Sequence, residues 1–260
     1  MTLDSRRRAI GLAAGIFCSL VVGVLYAATS ANPLFQDAVW IGESGGVIKL
    51  DPASGQPILR IDTLEDVRTL AVDERAGTVW IFSQGNLYLY DFQGQLKKSF
   101  SAPMPPTGVL DSPLIQRLSG SSSAVFRAAV CTANIATLDT LPPDLLWTGA
   151  LLATSPEDGS AWLTLGSHLY QFSPEGNLLS DLDVGELITG IGVDVSRSRV
   201  WVSTCESVRA YEADGSIAVQ KNLNLSANQI RGIDYDATRD ELWLIMGNEV
   251  RRFIEPCINS

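Results

Sequence analysis

The sequence predicts an all-β fold, a six-bladed β-propeller of four-stranded antiparallel blades, preceded by an apolar N-terminal helix. Three observations carry this. A Trp flanked by strand-forming residues recurs as Val39-Trp40-Ile41, Val79-Trp80-Ile81, Ala161-Trp162-Leu163, Val200-Trp201-Val202 and Leu242-Trp243-Leu244. The Trp-to-Trp steps are 40, 82, 39 and 42 residues, the longest being two periods with a worn copy, Val125-Phe126-Arg127, between them. Ten residues after each Trp an apolar residue closes a second short run: Leu50, Tyr90, Phe172, Tyr211 and Phe253. A period near forty is the mark of a repeat array, and it outranks local readings.

Within one period the elements follow in order. Upstream of the Trp lies a strand whose last residue stands seven positions before it, as Asp73, Ser155, Asp194 and Asp236. The Trp strand and the run after it are joined by Gly, Asn or Ser, as in Gln84-Gly85-Asn86, which reads as a β-hairpin. Turns follow, such as Asp51-Pro52-Ala53-Ser54-Gly55, Ser173-Pro174-Glu175-Gly176 and Glu212-Ala213-Asp214-Gly215. Pro pre-sets φ and Gly accepts a positive one. A fourth short strand closes the unit. A lone unit of this kind cannot bury its faces, so neighbours must stack, with each Trp packed between blades. Trp40, Trp80, Trp162, Trp201 and Trp243 are the expected blade cores. The expected blades span about 38–66, 67–103, 104–146, 147–185, 186–226 and 227–256, within a domain of residues 32–260.

Two blades lack a strand: the first begins at its Trp strand and the last stops after its third. The expectation is a ring that closes imperfectly, or the front portion of a longer surface protein. The blade at 104–146 is the irregular one, rich in Pro and carrying Gly120-Ser121-Ser122-Ser123. It reads as a decayed blade with a long surface loop, or as a grafted binding loop.

The patterns LAVD-x5-VWI and LYLYD-x2-G of residues 70–94, repeated at 191–215 and 233–253, resemble the NHL and YVTN class of propeller repeats, and more loosely the gluconolactonase-like propellers. The resemblance covers about 38–254 and implies the fold. It is nearly silent on activity, since propellers host unrelated functions. Gluconolactonase-like propellers hold a metal in the central channel on Glu, Asn and Asp. The Asn-Gly inner-strand motif that would mark it is missing here, so no site residue carries over.

Residues 1–31 stand apart. Arg6-Arg7-Arg8 precede an uncharged run from Ala9 to Ala27. At ~1.5 Å per residue that run spans about 29 Å, near the hydrocarbon thickness of a bilayer. The leading arginines predict a cytoplasmic Met1 and an exported propeller, either held by this segment (residues 9–27) or released by cleavage after Thr29-Ser30-Ala31, so membrane-anchored, periplasmic or secreted.

Net charge is −10; residues 1–31 contribute three Arg and one Asp, or +2, leaving −12 on the rest. That disfavours nucleic acid and anionic lipid as partners of the propeller. Outside the apolar segment lie Cys131, Cys205 and Cys257, with Cys18 inside it. The repeat alignment sets Cys205 and Cys257 on opposite faces of the disc and Cys131 two blades from Cys205, so free thiols are expected.

Little in the sequence converges on chemistry. His168 is the sole histidine and falls in a hairpin turn, which excludes a multi-histidine metal site. Asp73, Asp194 and Asp236 read as residues whose carboxylates accept hydrogen bonds from the next turn. Their alternative is a ring of channel carboxylates holding a divalent cation, with Asp194 and Asp234 as candidates. The expected function is a non-catalytic protein-binding or scaffolding module without a cofactor. The alternatives are a metal-dependent lactonase- or lyase-type enzyme, and the propeller portion of a larger surface protein.

Overall fold

The computed structural model describes residues 38–43, 45–103, 149–223, 230–236, 238–246 and 249–254. These form eighteen strands in five antiparallel sheets. Sheet I holds β1 (Val39–Glu43), β2 (Gly46–Leu50) and β3 (Pro57–Ile61). Sheet II holds β4 (Val67–Asp73), β5 (Thr78–Ser83), β6 (Asn86–Asp91) and β7 (Leu96–Ser101). Sheet III holds β8 (Leu151–Thr154), β9 (Ala161–Leu165), β10 (His168–Phe172) and β11 (Leu178–Asp183). Sheet IV holds β12 (Gly190–Asp194), β13 (Arg199–Ser203), β14 (Ser207–Glu212) and β15 (Ile217–Asn222). Sheet V holds β16 (Ile230–Asp236), β17 (Glu241–Met246) and β18 (Glu249–Ile254). In each sheet, strands adjacent in sequence are adjacent in space, as tight hairpin turns require.

The repeat is preserved down to its irregularities. Wherever a strand is described after the Trp hairpin within a sheet, its pairing slips by one residue at the same place, beside Leu50, Tyr90, Phe172 and Tyr211. Bulges twist an edge strand away from further pairing. The residue three before the Trp is also left-handed in four sheets: Gly77 (φ 67°), Gly159 (72°), Ser198 (53°) and Asp240 (57°).

Sheets stack face to face in chain order, with β4, β8, β12 and β16 side by side and β1 against β4. Period-two alternation gives every sheet two faces, and each junction buries one apolar cluster. Trp40, Val47 and Ile61 of sheet I meet Val79, Ile81 and Tyr90 of sheet II. Trp80, Phe82 and Leu87 of sheet II meet Leu152, Leu163 and Tyr170 of sheet III. Trp162 and Leu169 of sheet III meet Val200, Val202 and Tyr211 of sheet IV. Trp201, Val208 and Val219 of sheet IV meet Ile233, Leu242 and Leu244 of sheet V. Each Trp thus serves the face that looks to the following sheet. The outer strands interlock as well: Phe100 of β7 lies against Phe172 (centroids 5.6 Å apart) and against Gly176 in the turn after β10.

Two expectations need correction. A blade over 104–146 was expected between the blades at 67–103 and 147–185. Those residues lie outside the described ones, but sheet II packs directly on sheet III, and Thr154 Oγ1 donates to Val72 O at 3.0 Å. There is no room for a sheet between them. Trp243 was expected in a blade core; it is only partly buried, unlike Trp80 and Trp201 at 1% and 0% exposure. The reason is positional. Among the described sheets none packs on the Trp243 face of sheet V, whereas the equivalent face of each of the other four is packed on the next sheet. The expected apolar helix in residues 1–31 lies outside the described residues, and no described helix is long and apolar enough to cross a membrane.

Candidate functional site

The sheets have two ends. One carries Asp73, Asp194 and Asp236; the other carries the hairpin turns at 84–85, 166–167 and 204–206.

At the Asp end the carboxylates hold turns. Asp73 Oδ1 accepts from Ala76 N at 2.9 Å, Asp194 Oδ1 from Arg197 N at 3.2 Å, and Asp236 Oδ1 from Thr238 N at 2.9 Å. Asp194 is fully buried, and Arg197 Nη1 reaches its Oδ2 at 3.1 Å. The same guanidinium donates to Tyr235 Oη at 2.7 Å and grips Asp240 through both nitrogens at 2.8 Å. Tyr235 Oη donates in turn to Asp240 Oδ1. Burial first, then that bond to Asp240, pushes the Tyr235 phenol far up. This network staples sheet IV to sheet V. The two candidate metal residues do not converge: Asp194 is committed to Arg197, while exposed Asp234 accepts from Tyr235 N at 2.9 Å. Among the described residues no group of three or more His, Cys, Asp or Glu is placed to hold a metal. In sheet II the Oδ2 of the corresponding Asp73 is buried without a hydrogen-bond partner, and burial pushes its carboxyl up.

His168 opens β10, stacks on Tyr170 at 5.7 Å and has its Nδ1 3.0 Å from Asp181 Oδ1. It begins strand β10 just past the turn at 166–167 in which it was expected, and its side chain is partly buried.

At the hairpin end of sheet IV lies a network the sequence reading missed. Thr204 Oγ1 donates to Glu186 Oε2 at 2.7 Å and lies 2.8 Å from Ser207 Oγ. Thr189 Oγ1 lies 3.0 Å from Ser203 Oγ. Arg209 donates to Val184 O at 2.7 Å and pairs with Glu186. Cys205 sits in this turn and is disulfide-bonded, which corrects the free thiol expected there. The expectation failed because repeat alignment compares only strand positions.

The face of sheet V turned away from sheet IV, part exposed and part buried, is the candidate site. Register sets Trp243 opposite Asp234 on β16 and Arg252 on β18, and sets Ile245 opposite Val250 and Glu241 opposite Ile254. Directly paired residues share a face, so Trp243, Ile245, Val250 and Ile254 form one apolar patch. Ile245 is 47% exposed, Val250 63% and Ile254 46%. Arg252 Nη1 meets Glu241 Oε1 at 3.1 Å across the patch, and Asp234 borders it. The opposite face, with Leu242, Leu244 and Met246, is buried on sheet IV.

Comparison with known proteins returns no matching family model and no matching curated protein.

Proposed function

We propose that this chain is an exported, membrane-tethered β-propeller module of the NHL/YVTN type, whose role is to bind a protein partner rather than to catalyse a reaction. The observation that carries this reading is the contrast between Trp201 and Trp243. Trp201 is fully buried and stacks on Tyr235 of the next sheet, with centroids 6.1 Å apart. Trp243 holds the same place in its sheet and leads a patch of three exposed aliphatic side chains. An exposed patch of this kind, rimmed by charge, is the usual form of a protein interaction surface. Its fitting cover is another apolar sheet face, the cover its four counterparts receive inside this chain. The same observation supports a second reading, in which this chain is the propeller portion of a larger surface protein and a further sheet of that protein covers the patch.

The test is site-specific photo-cross-linking in the producing cells, with a benzophenone side chain at Val250 and, as a control, at Ile58, an exposed aliphatic on sheet I. The reading expects one discrete adduct from Val250, lost on Ile245→Glu and not formed from Ile58. No adduct at Val250, or the same adducts from both positions, contradicts it.

A further inference from the structure

We infer that the corner where sheet II meets sheet III at the Asp end is a binding site for a guanidinium cation, with Asp73 as its anchoring acid. This is independent of the docking face on sheet V.

The repeat itself defines the site. Asp73 and Asp194 stand seven residues before Trp80 and Trp201. Each caps the turn that follows it, Asp73 Oδ1 accepting from Ala76 N at 2.9 Å and Asp194 Oδ1 from Arg197 N at 3.2 Å. Both residues are buried, at 1% and 0% exposure. At Asp194 the second oxygen receives the guanidinium of Arg197, which also reaches Tyr235 and Asp240 of the next sheet. At Asp73 the second oxygen is buried without a hydrogen-bond partner. The repeat sets Ala76 where Arg197 stands, Thr154 where Tyr235 stands and Gly159 where Asp240 stands. All three are smaller. The junction of sheets II and III thus keeps the buried acid but not the guanidinium or the two groups that hold it.

Asp73 Oδ2 is aimed at this corner. A Cβ added to Gly159, the position from which Asp240 meets Arg197, would lie 3.6 Å from Oδ2. Thr154 Oγ1 is turned elsewhere, donating to Val72 O at 3.0 Å. Asp158, beside Gly159 and exposed, brings a second negative charge near Asp73. Burial raises the Asp73 carboxyl and the charge of Asp158 adds to it, while exposed Arg75 pulls the other way. A cation at Oδ2 relieves both the burial and the repulsion. Ala76 and Asp158 are exposed, so the acid lies just beneath the surface.

The chemistry selects the cation. A calcium ion wants about six to eight oxygen ligands, and among the described residues no group of three or more His, Cys, Asp or Glu is placed to hold a metal. A guanidinium asks for less: it is weakly hydrated, always charged, and pairs with a carboxylate in its own plane. It is also the group that meets the equivalent acid between sheets IV and V. The ligand is a small guanidino compound or the arginine side chain of a peptide.

The test is thermal melting of the full chain with millimolar methylguanidinium, methylammonium or calcium chloride, on the wild type, Asp73→Asn and Ala76→Arg. Methylguanidinium should raise the wild-type Tm saturably, by about 1–2 °C, more than methylammonium does, and should leave Asp73→Asn unmoved. Asn keeps an oxygen for the Ala76 N–H, so that lost response does not come from a broken turn. Ala76→Arg supplies the cation from within; it should melt higher than the wild type and ignore methylguanidinium. N-acetylarginine amide separates the two sources. A rise matching that of methylguanidinium assigns the site to a peptide arginine, and no rise assigns it to small guanidino compounds. The absence of a saturable wild-type rise with methylguanidinium, an equal rise in Asp73→Asn, or a rise with calcium chloride alone overturns the assignment.

Discussion

Arg197 of sheet IV grips Asp240 of sheet V through two parallel hydrogen bonds of 2.8 Å, and the same guanidinium reaches Tyr235 Oη at 2.7 Å and the fully buried Asp194 at 3.1 Å. One guanidinium therefore joins two repeats separated by 43 positions in sequence. Removing it strands a carboxylate with no access to water, the costliest way to break an ion pair. Since Arg197 and Asp240 are themselves partly exposed, the expected cost of Arg197→Ala is at the lower end, about 2–3 kcal/mol. Arg197→Lys should recover part of it, since an ammonium cannot make the two-point contact. Urea denaturation of both variants checks this.

Asp73 gives a pH signature. Its Oδ2 is buried without a partner, and desolvation raises its carboxyl above the ordinary value of 3.8. A raised acid stabilises the fold below its unfolded value, and that contribution is lost as pH rises through the folded value. Asp73→Asn keeps an oxygen for Ala76 N–H and removes the charge. It should stabilise the protein at neutral pH by about 1 kcal/mol. It should also flatten the decline in stability as pH rises above about 4. Chemical denaturation from pH 3 to 7 reads this out; a neutral-pH loss in Asp73→Asn would mean that the charged form is the stabilised one.

Gly176 is fixed by the outer interlock. Its φ is +85°, and an added Cβ would lie 2.6 Å from Phe100 Cε1. Gly176→Ala therefore combines left-handed strain of about 1 kcal/mol with displacement of an aromatic ring packed on Phe172. A total of about 2–3 kcal/mol is expected by thermal or urea melts. Gly55, also left-handed but with nothing within 4 Å, should lose only about 1 kcal/mol on change to Ala.

How much of this was readable in the sequence follows from what a period can encode. Spacing between Trp residues and the apolar residues ten positions later located the hairpins, and β1–β2 through β17–β18 pair as those spacings require. The turn role of Asp73, Asp194 and Asp236 was also legible, because it acts within a few residues. Contacts between repeats were not. The Arg197–Asp240 grip depends on two side chains from different sheets, and nothing local marks either. The direct stacking of sheet II on sheet III was hidden by assigning a blade to residues 104–146. The partial exposure of Trp243 was hidden because a repeat says where a strand lies and not what covers it.

The most direct test compares Trp201→Ala with Trp243→Ala, two truncations at one repeat position. The account holds that the face of sheet V is the one Trp-bearing face left open among the described sheets, and so free for a partner. Trp201→Ala should cost about 3–5 kcal/mol, the usual cost of emptying a buried aromatic site. Trp243→Ala in the isolated chain should cost under about 1 kcal/mol, as for a surface position. Equal, large costs at both sites would show that sheet V is already covered within the chain, and would remove the docking face on which the proposed function rests.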